Sequence, residues 1–164
     1  METRRRRRSI GSQRARGRAP WSLRDVDADL VALVDRVTRR MRAAHRVGRT
    51  VVLRLRFADY TRATRSHTLP HATASTETVL TTARVLLAAS VATIEKRGLT
   101  LVGLSVANLE DADTVQLALH FDRRDQDALD VVVDEVRTRF GSAAITRAVL
   151  VGRERGFTMP LLPD

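Results

Sequence analysis

The chain has 164 residues, 43% hydrophobic and 29% charged, with a formal net charge of +10, which suits one folded domain with a basic tail. It holds no cysteine and only 4% aromatics, excluding disulfides, thiolate chemistry, cysteine-ligated zinc and an aromatic platform for stacking bases. The charge is uneven: residues 1–71 carry 19 Lys+Arg against 6 Asp+Glu, and residues 72–164 carry 10 against 13, so one basic region seeks a polyanion.

Arg4 to Arg8 resemble the basic start of a signal peptide, but no apolar core follows them. They read as a basic linker, residues 1–8. No apolar run approaches the length of a membrane span. Residues 9–18 form an irregular edge strand in which Gly11 and Gly17 permit close backbone approach. Pro20 ends it. Ser22 then caps a helix with Asp25 three residues on, and Trp21 and Val26 fit a hydrophobic staple. That helix runs to about His45 on the stripe Val26, Leu30, Leu33, Val37, Met41 and Ala44, and Gly48 is expected to stop it.

Strands follow at 50–58 and 61–69 around a turn at Asp59-Tyr60. In the first, Leu53, Leu55 and Phe57 alternate with Val52, Arg54 and Arg56. The second interleaves Arg62 and Arg65 with Thr and Ser and is closed by Pro70. Together the two strands are expected to offer arginines and hydroxyls, the usual side-chain donors to phosphate oxygens, from one face of a sheet whose other face is apolar. Ser75 caps a second helix with the stripe Val79, Ala83, Leu86, Leu87, Ser90 and Ile94, ended by Gly98. A strand at 99–107 sets Val102, Leu104 and Val106 against Gly103, Ser105 and Ala107. The order β-α-β-β-α-β predicts an α+β domain: a four-stranded sheet with two helices on one face, in a ferredoxin-like arrangement. A C-terminal extension at 110–164 holds the acidic loop Glu110 to Asp113, a third helix at about 125–140 with Leu129, Val132, Val133, Val136 and Phe140, and a loose tail.

Other constellations stay in the background. His45, His67, His71 and His120 lack metal-ligand spacing, and Asp111 with Asp113 reads as a solvated loop. No glycine-rich phosphate loop, nucleophile elbow or catalytic triad is apparent. Arg36, Arg39, Arg40, Arg42, Arg46 and Arg49 read as a solvated face near a helix C-terminus, with DNA contact as the second reading.

Arg8-Ser9-Ile10-Gly11, Thr64-Arg65-Ser66-His67-Thr68-Leu69-Pro70 and Ser75-Thr76-Glu77 stand in an order and spacing that resemble the little finger domain of Y-family translesion DNA polymerases, in the bacterial DNA polymerase IV group and its actinobacterial form. The resemblance implies a little finger over residues 9–109. It implies non-sequence-specific contact with template-primer DNA through Ser9, Gly11, Ser12, Arg14, Arg16, Arg54, Arg56, Arg62, Arg65, Ser66, His67 and Thr68. His67 departs from the family, whose members often carry a second basic side chain there. The resemblance also implies a clamp-binding peptide at Gln116, Leu117, Leu119 and Phe121, although Val115, Leu117, Leu119 and Phe121 equally fit an amphipathic strand. Its implied partners are duplex DNA, the bacterial sliding clamp and a polymerase catalytic core, in a cytoplasmic, nucleoid-associated setting without a membrane. No cofactor is implied for this chain; magnesium belongs to palm carboxylates that lie outside it, so the chain alone is expected not to polymerise. A free-standing ferredoxin-like RNA-binding or ribosome-associated protein is the rival reading.

Overall fold

In the computed structural model the described residues are 8–17, 20–114 and 124–153, and side chains are described except at 114 and 124–126. Four strands form one antiparallel sheet: β1 (Ser9–Ala15), β2 (Arg46–Phe57), β3 (Arg62–Thr73) and β4 (Leu99–Asp111), in the order β1-β4-β2-β3. The helices α1 (Leu23–Ala43) and α2 (Thr76–Ala88), followed by the short α3 (Val91–Arg97), cover one face. Between that face and the helices lies a core of Ile10, Val51, Leu53, Leu55, Phe57, Val102, Leu104 and Val106 from the sheet and Val26, Leu30, Leu33, Val34, Val37, Met41, Val79, Ala83, Leu87 and Ile94 from the helices.

The caps form as the sequence predicts. Ser22 Oγ accepts from the Asp25 amide at 3.1 Å and donates to its carboxylate at 2.7 Å, and Ser75 Oγ accepts from the Thr78 amide. Other boundaries differ. The first helix ends at Ala43, and His45 makes the turn at φ 50°. Gly48 is therefore not a helix stop but a residue of β2. A Cβ there would lie 2.5 Å from Val106 Cγ1 of β4, so glycine lets β2 and β4 close, at the position where the β2-β3 pairing on its other side is bulged. The second helix breaks at Ala89-Ser90, bending by 54°, and Ser90 Oγ donates back to the Leu86 carbonyl at 3.0 Å. Among the described residues no single helix is long and apolar enough to cross a membrane. The bent pair passes by length and composition only, and its apolar side fills the core.

The last described helix, α4 (Arg124–Phe140), is held by charge. Three residues of its predicted stripe point outward, Leu129, Val132 and Phe140 being 61%, 54% and 68% exposed, while Val133 and Val136 are half-buried. The inward side carries Asp130, Asp134 and Arg137. Arg42 of α1 donates to Asp134 at 2.7 Å, to Asp130 at 3.2 Å and to the Ala74 carbonyl at 2.9 Å. Asp130 also accepts from the Thr76 amide, adding a second cap to α2. Arg137 reaches Asp35 of α1 at 2.8 Å. The third-helix stripe is thus present, but it is not what docks the helix.

Candidate nucleic-acid interface

Strand register decides which side chains share the face opposite the helices. Partners across an antiparallel sheet project to the same side, and four rows run across β1, β4, β2 and β3. They are Ser9–Ala107–Thr50–Thr68, Gly11–Ser105–Val52–Ser66, Gln13–Gly103–Arg54–Thr64 and Ala15–Leu101–Arg56–Arg62. Among the described residues no helix covers this face. Its β1-β4 half is low, built largely of Gly, Ser and Ala, and its β2-β3 half carries the cations and hydroxyls. A Cβ on Gly11 would lie 2.8 Å from Ser105 Cβ, so the low half is also tightly packed.

None of the four rows contains a carboxylate. Arg56 and Arg62 face each other directly, an arrangement that costs stability when nothing anionic lies between them. Arg54 and Arg62 are exposed, and Arg56 donates to Thr100 Oγ1 at 3.3 Å. Hydroxyls line up beside them: Thr50 and Thr68 lie 3.0 Å apart, and Asn108 donates to Thr50 at 2.8 Å. At the arginine end the β2-β3 turn is tied down by Asp59. The Thr61 hydroxyl donates to it at 2.6 Å and Arg97 closes an ion pair, and these bonds lower its carboxyl to about 2.

Of the residues expected at the interface, Ser9, Gly11, Arg54, Arg56, Arg62, Ser66 and Thr68 lie on these rows. Ser12, Arg14, Arg16, Arg65 and His67 do not. Ser12 and Arg14 sit in the rows of Leu104 and Val102, which face the helices. Ser12 accepts from Arg36 at 3.2 Å, Arg14 pairs with Asp29 of α1 at 3.1 Å, and Arg16 pairs with the same carboxylate. Arg65 and His67 stand opposite the buried Leu53 and Val51. They are exposed because β3 is an edge strand that the helices cover only in part, at Ala63 and Leu69. Alternation therefore separates Arg65 from Arg62, contrary to the single face read from sequence. Thr50, Thr64, Gln13 and Asn108 join the interface unannounced. Carrying the two-residue period from Arg54 along β2 reaches Thr50, and the row through Arg54 reaches Thr64 on β3 and, across Gly103, Gln13 on β1. Gln116, Leu117, Leu119 and Phe121 lie outside the described residues.

A family model, the impB/mucB/samB family C-terminal domain, matches residues 7–119. The chain belongs to this family. Among curated relatives, DNA polymerase IV 2 of Mesorhizobium japonicum is 35% identical over 158 residues, covering 88% of this chain and 38% of that protein. DNA polymerase IV of Moorella thermoacetica is 34% identical over 141 residues, covering 86% of this chain and 35% of that protein. The chain thus spans little more than a third of the length of these relatives. Among solved structures, a post-insertion binary complex of Dbh DNA polymerase superposes with a TM-score of 0.54 at 11% identity, over 61% of this chain and 28% of that one. This likeness shows the fold: the four-stranded sheet with helices on one face recurs in a DNA polymerase.

Proposed function

We propose that this chain grips duplex DNA by its backbone, as the little finger of a DNA polymerase IV-like lesion-bypass enzyme. The observation that carries the reading is the sheet face left uncovered by the described residues, where Arg54, Arg56 and Arg62 meet no carboxylate among them and stand beside a line of hydroxyls above a low floor. Guanidinium groups and hydroxyls donate to phosphate oxygens without reading sequence. The low Gly-Ser-Ala half lets one edge of the duplex approach the strands closely. Family membership and the names of the relatives point the same way. In the whole enzyme the metal-dependent chemistry belongs to another domain, and this chain supplies grip and no catalytic group. Gln116, Leu117, Leu119 and Phe121 are proposed to tether the enzyme to the sliding clamp at the nucleoid, in the cytoplasm. Their glutamine-leucine-aromatic pattern supports this, since peptide capture rests on a few apolar anchors.

Salt titration of labelled duplexes of unrelated sequence tests the grip. Three face arginines, with Arg65 at the edge, give an expected log–log slope of about −3 to −4, alike for all sequences. B-form DNA is expected to bind more tightly than double-stranded RNA, whose major groove is too narrow to admit the sheet. A flat salt dependence or equal binding of RNA would refute the reading. The tether has its own test. Replacing Leu119 and Phe121 together by Ala should abolish clamp pull-down with the melting temperature unchanged; a collapsed melt would instead make the segment part of the core.

A further inference from the structure

On the helix-covered side of the sheet, beside edge strand β1, α1 and the segment 141–153 enclose a groove of about 730 Å³. Its floor is small, with Ala28, Ala32 and Ala43 on α1, and its far wall includes Leu150 and Val151. Six arginines and two aspartates line it. Three of the arginines have acidic partners: Arg14 with Asp29, Arg137 with Asp35 and Arg153 with Asp25. Both lining aspartates are thereby engaged, Asp29 with Arg16 as well and Asp35 with Arg147 at 3.9 Å.

The other three, Arg36, Arg39 and Arg40, meet no carboxylate among the described residues. Arg36 donates to Ser12 Oγ at 3.2 Å and Arg40 to the Gly11 carbonyl at 3.1 Å. These neutral partners fix two guanidinium groups in place without offsetting their charge, and a fixed fork loses less entropy on meeting an anion. Arg36 and Arg40 are one helical turn apart, so their Cβ atoms are about 5–6 Å from each other. That spacing is of the order of the step between phosphates on an extended strand. The groove lies along the β1 edge of the sheet, since Arg14 of β1 lines it and the bonds of Arg36 and Arg40 run to Ser12 and Gly11 of that edge strand.

We propose that this groove is a second phosphate-binding site, which takes single-stranded DNA running off the edge of β1 from a duplex held on the open face. The inference rests on the duplex-grip reading for its geometry. Among the described residues no Phe, Tyr or Trp lines the groove, so the strand is held by its backbone and without base preference. Its capacity is three phosphates, one for each unmatched arginine.

The test compares the full chain with an Arg36→Gln/Arg39→Gln/Arg40→Gln variant on three DNAs: a blunt duplex, the same duplex with a ten-nucleotide tail on either strand, and oligothymidylate alone. For the parent chain a tail on one strand should tighten binding several-fold at low salt and steepen the log–log slope by about 2, at roughly 0.7 per phosphate for single strands. The variant should lose this increment and still bind the blunt duplex like the parent. A tail that adds nothing, or an increment that persists in the variant, overturns the site. If losing the bonds to β1 unfolds the triple variant, Arg39→Gln alone, whose side chain has no partner among the described residues, should remove about a third of the slope change, and an unchanged slope overturns the site equally. A parent that binds oligothymidylate but no blunt duplex would sink the open-face reading and leave the groove standing. The converse would sink the groove alone.

Discussion

Arginine does two opposite jobs in two regions of this molecule. On the open sheet face Arg54, Arg56 and Arg62 meet no carboxylate among the described residues, and two of them are directly opposed. At the α1-α4 contact Arg42 and Arg137 are largely buried and matched by Asp130, Asp134 and Asp35. The side chain is the same, and what surrounds it decides its role. A matched, buried guanidinium fixes one element against another, since removing one partner strands a charge away from water. One without a carboxylate on an open face adds little to the fold and leaves most of its donors for an external anion. A count of basic residues cannot separate the two.

Breaking the exposed set should produce the largest effect. Arg54→Gln/Arg56→Gln/Arg62→Gln removes three charge-assisted contacts at about 1.5 kcal/mol or more each, about a thousandfold in duplex affinity by fluorescence anisotropy. The melting temperature should hold or rise slightly, because the opposed Arg56–Arg62 pair is relieved. Breaking the matched set should do the reverse. Arg42→Ala leaves Asp134 without its cation and Asp130 with only Arg147 at 3.9 Å, and is expected to cost about 3 kcal/mol in urea unfolding, with affinity per folded molecule unchanged.

The contrast also explains what could be read from sequence. The caps at Ser22 and Ser75, the stripes of α1 and α2 and the alternation of β2 were legible because burial writes a period into the sequence. The phase of β3 was harder, since an edge strand buries few side chains. Ala63 and Leu69 are its only inward apolar markers; both are odd-numbered, and they place Arg65 and His67 with them and Arg62 and Ser66 on the other side. The docking side of α4 was illegible because ion pairs leave no hydrophobic period, and the visible stripe of Leu129, Val132 and Phe140 faces solvent. Gly48 was misread as a helix stop because a glycine needed for strand approach looks the same in sequence as one that ends a helix.

Smaller effects sharpen the same division. Arg14→Gln should lower stability by less than about 1 kcal/mol, because the pair is partly exposed and Arg16 still holds Asp29. Duplex affinity should stay within a factor of two, as checked by parallel melts and anisotropy titrations. At the β2-β3 turn, hydrogen bonds from the Thr61 hydroxyl and Arg97 hold the Asp59 carboxyl at about 2, against 3.8 without them. A folded value below the unfolded one contributes stability that is fully present above about pH 4 and is lost as the pH falls toward 2. Asp59→Asn should therefore flatten the pH dependence of unfolding in that window and leave the behaviour at pH 7 almost unchanged.

The face assignment itself is open to direct measurement, because the chain has no cysteine of its own. Ser66→Cys and His67→Cys each introduce a single exposed thiol at adjacent positions of β3, on opposite sides of the strand. Maleimide labelling is then followed with and without saturating duplex. Duplex should slow labelling at position 66 strongly and at position 67 little. Equal protection at both, or protection of 67 alone, would contradict a duplex seated on the open face of the sheet.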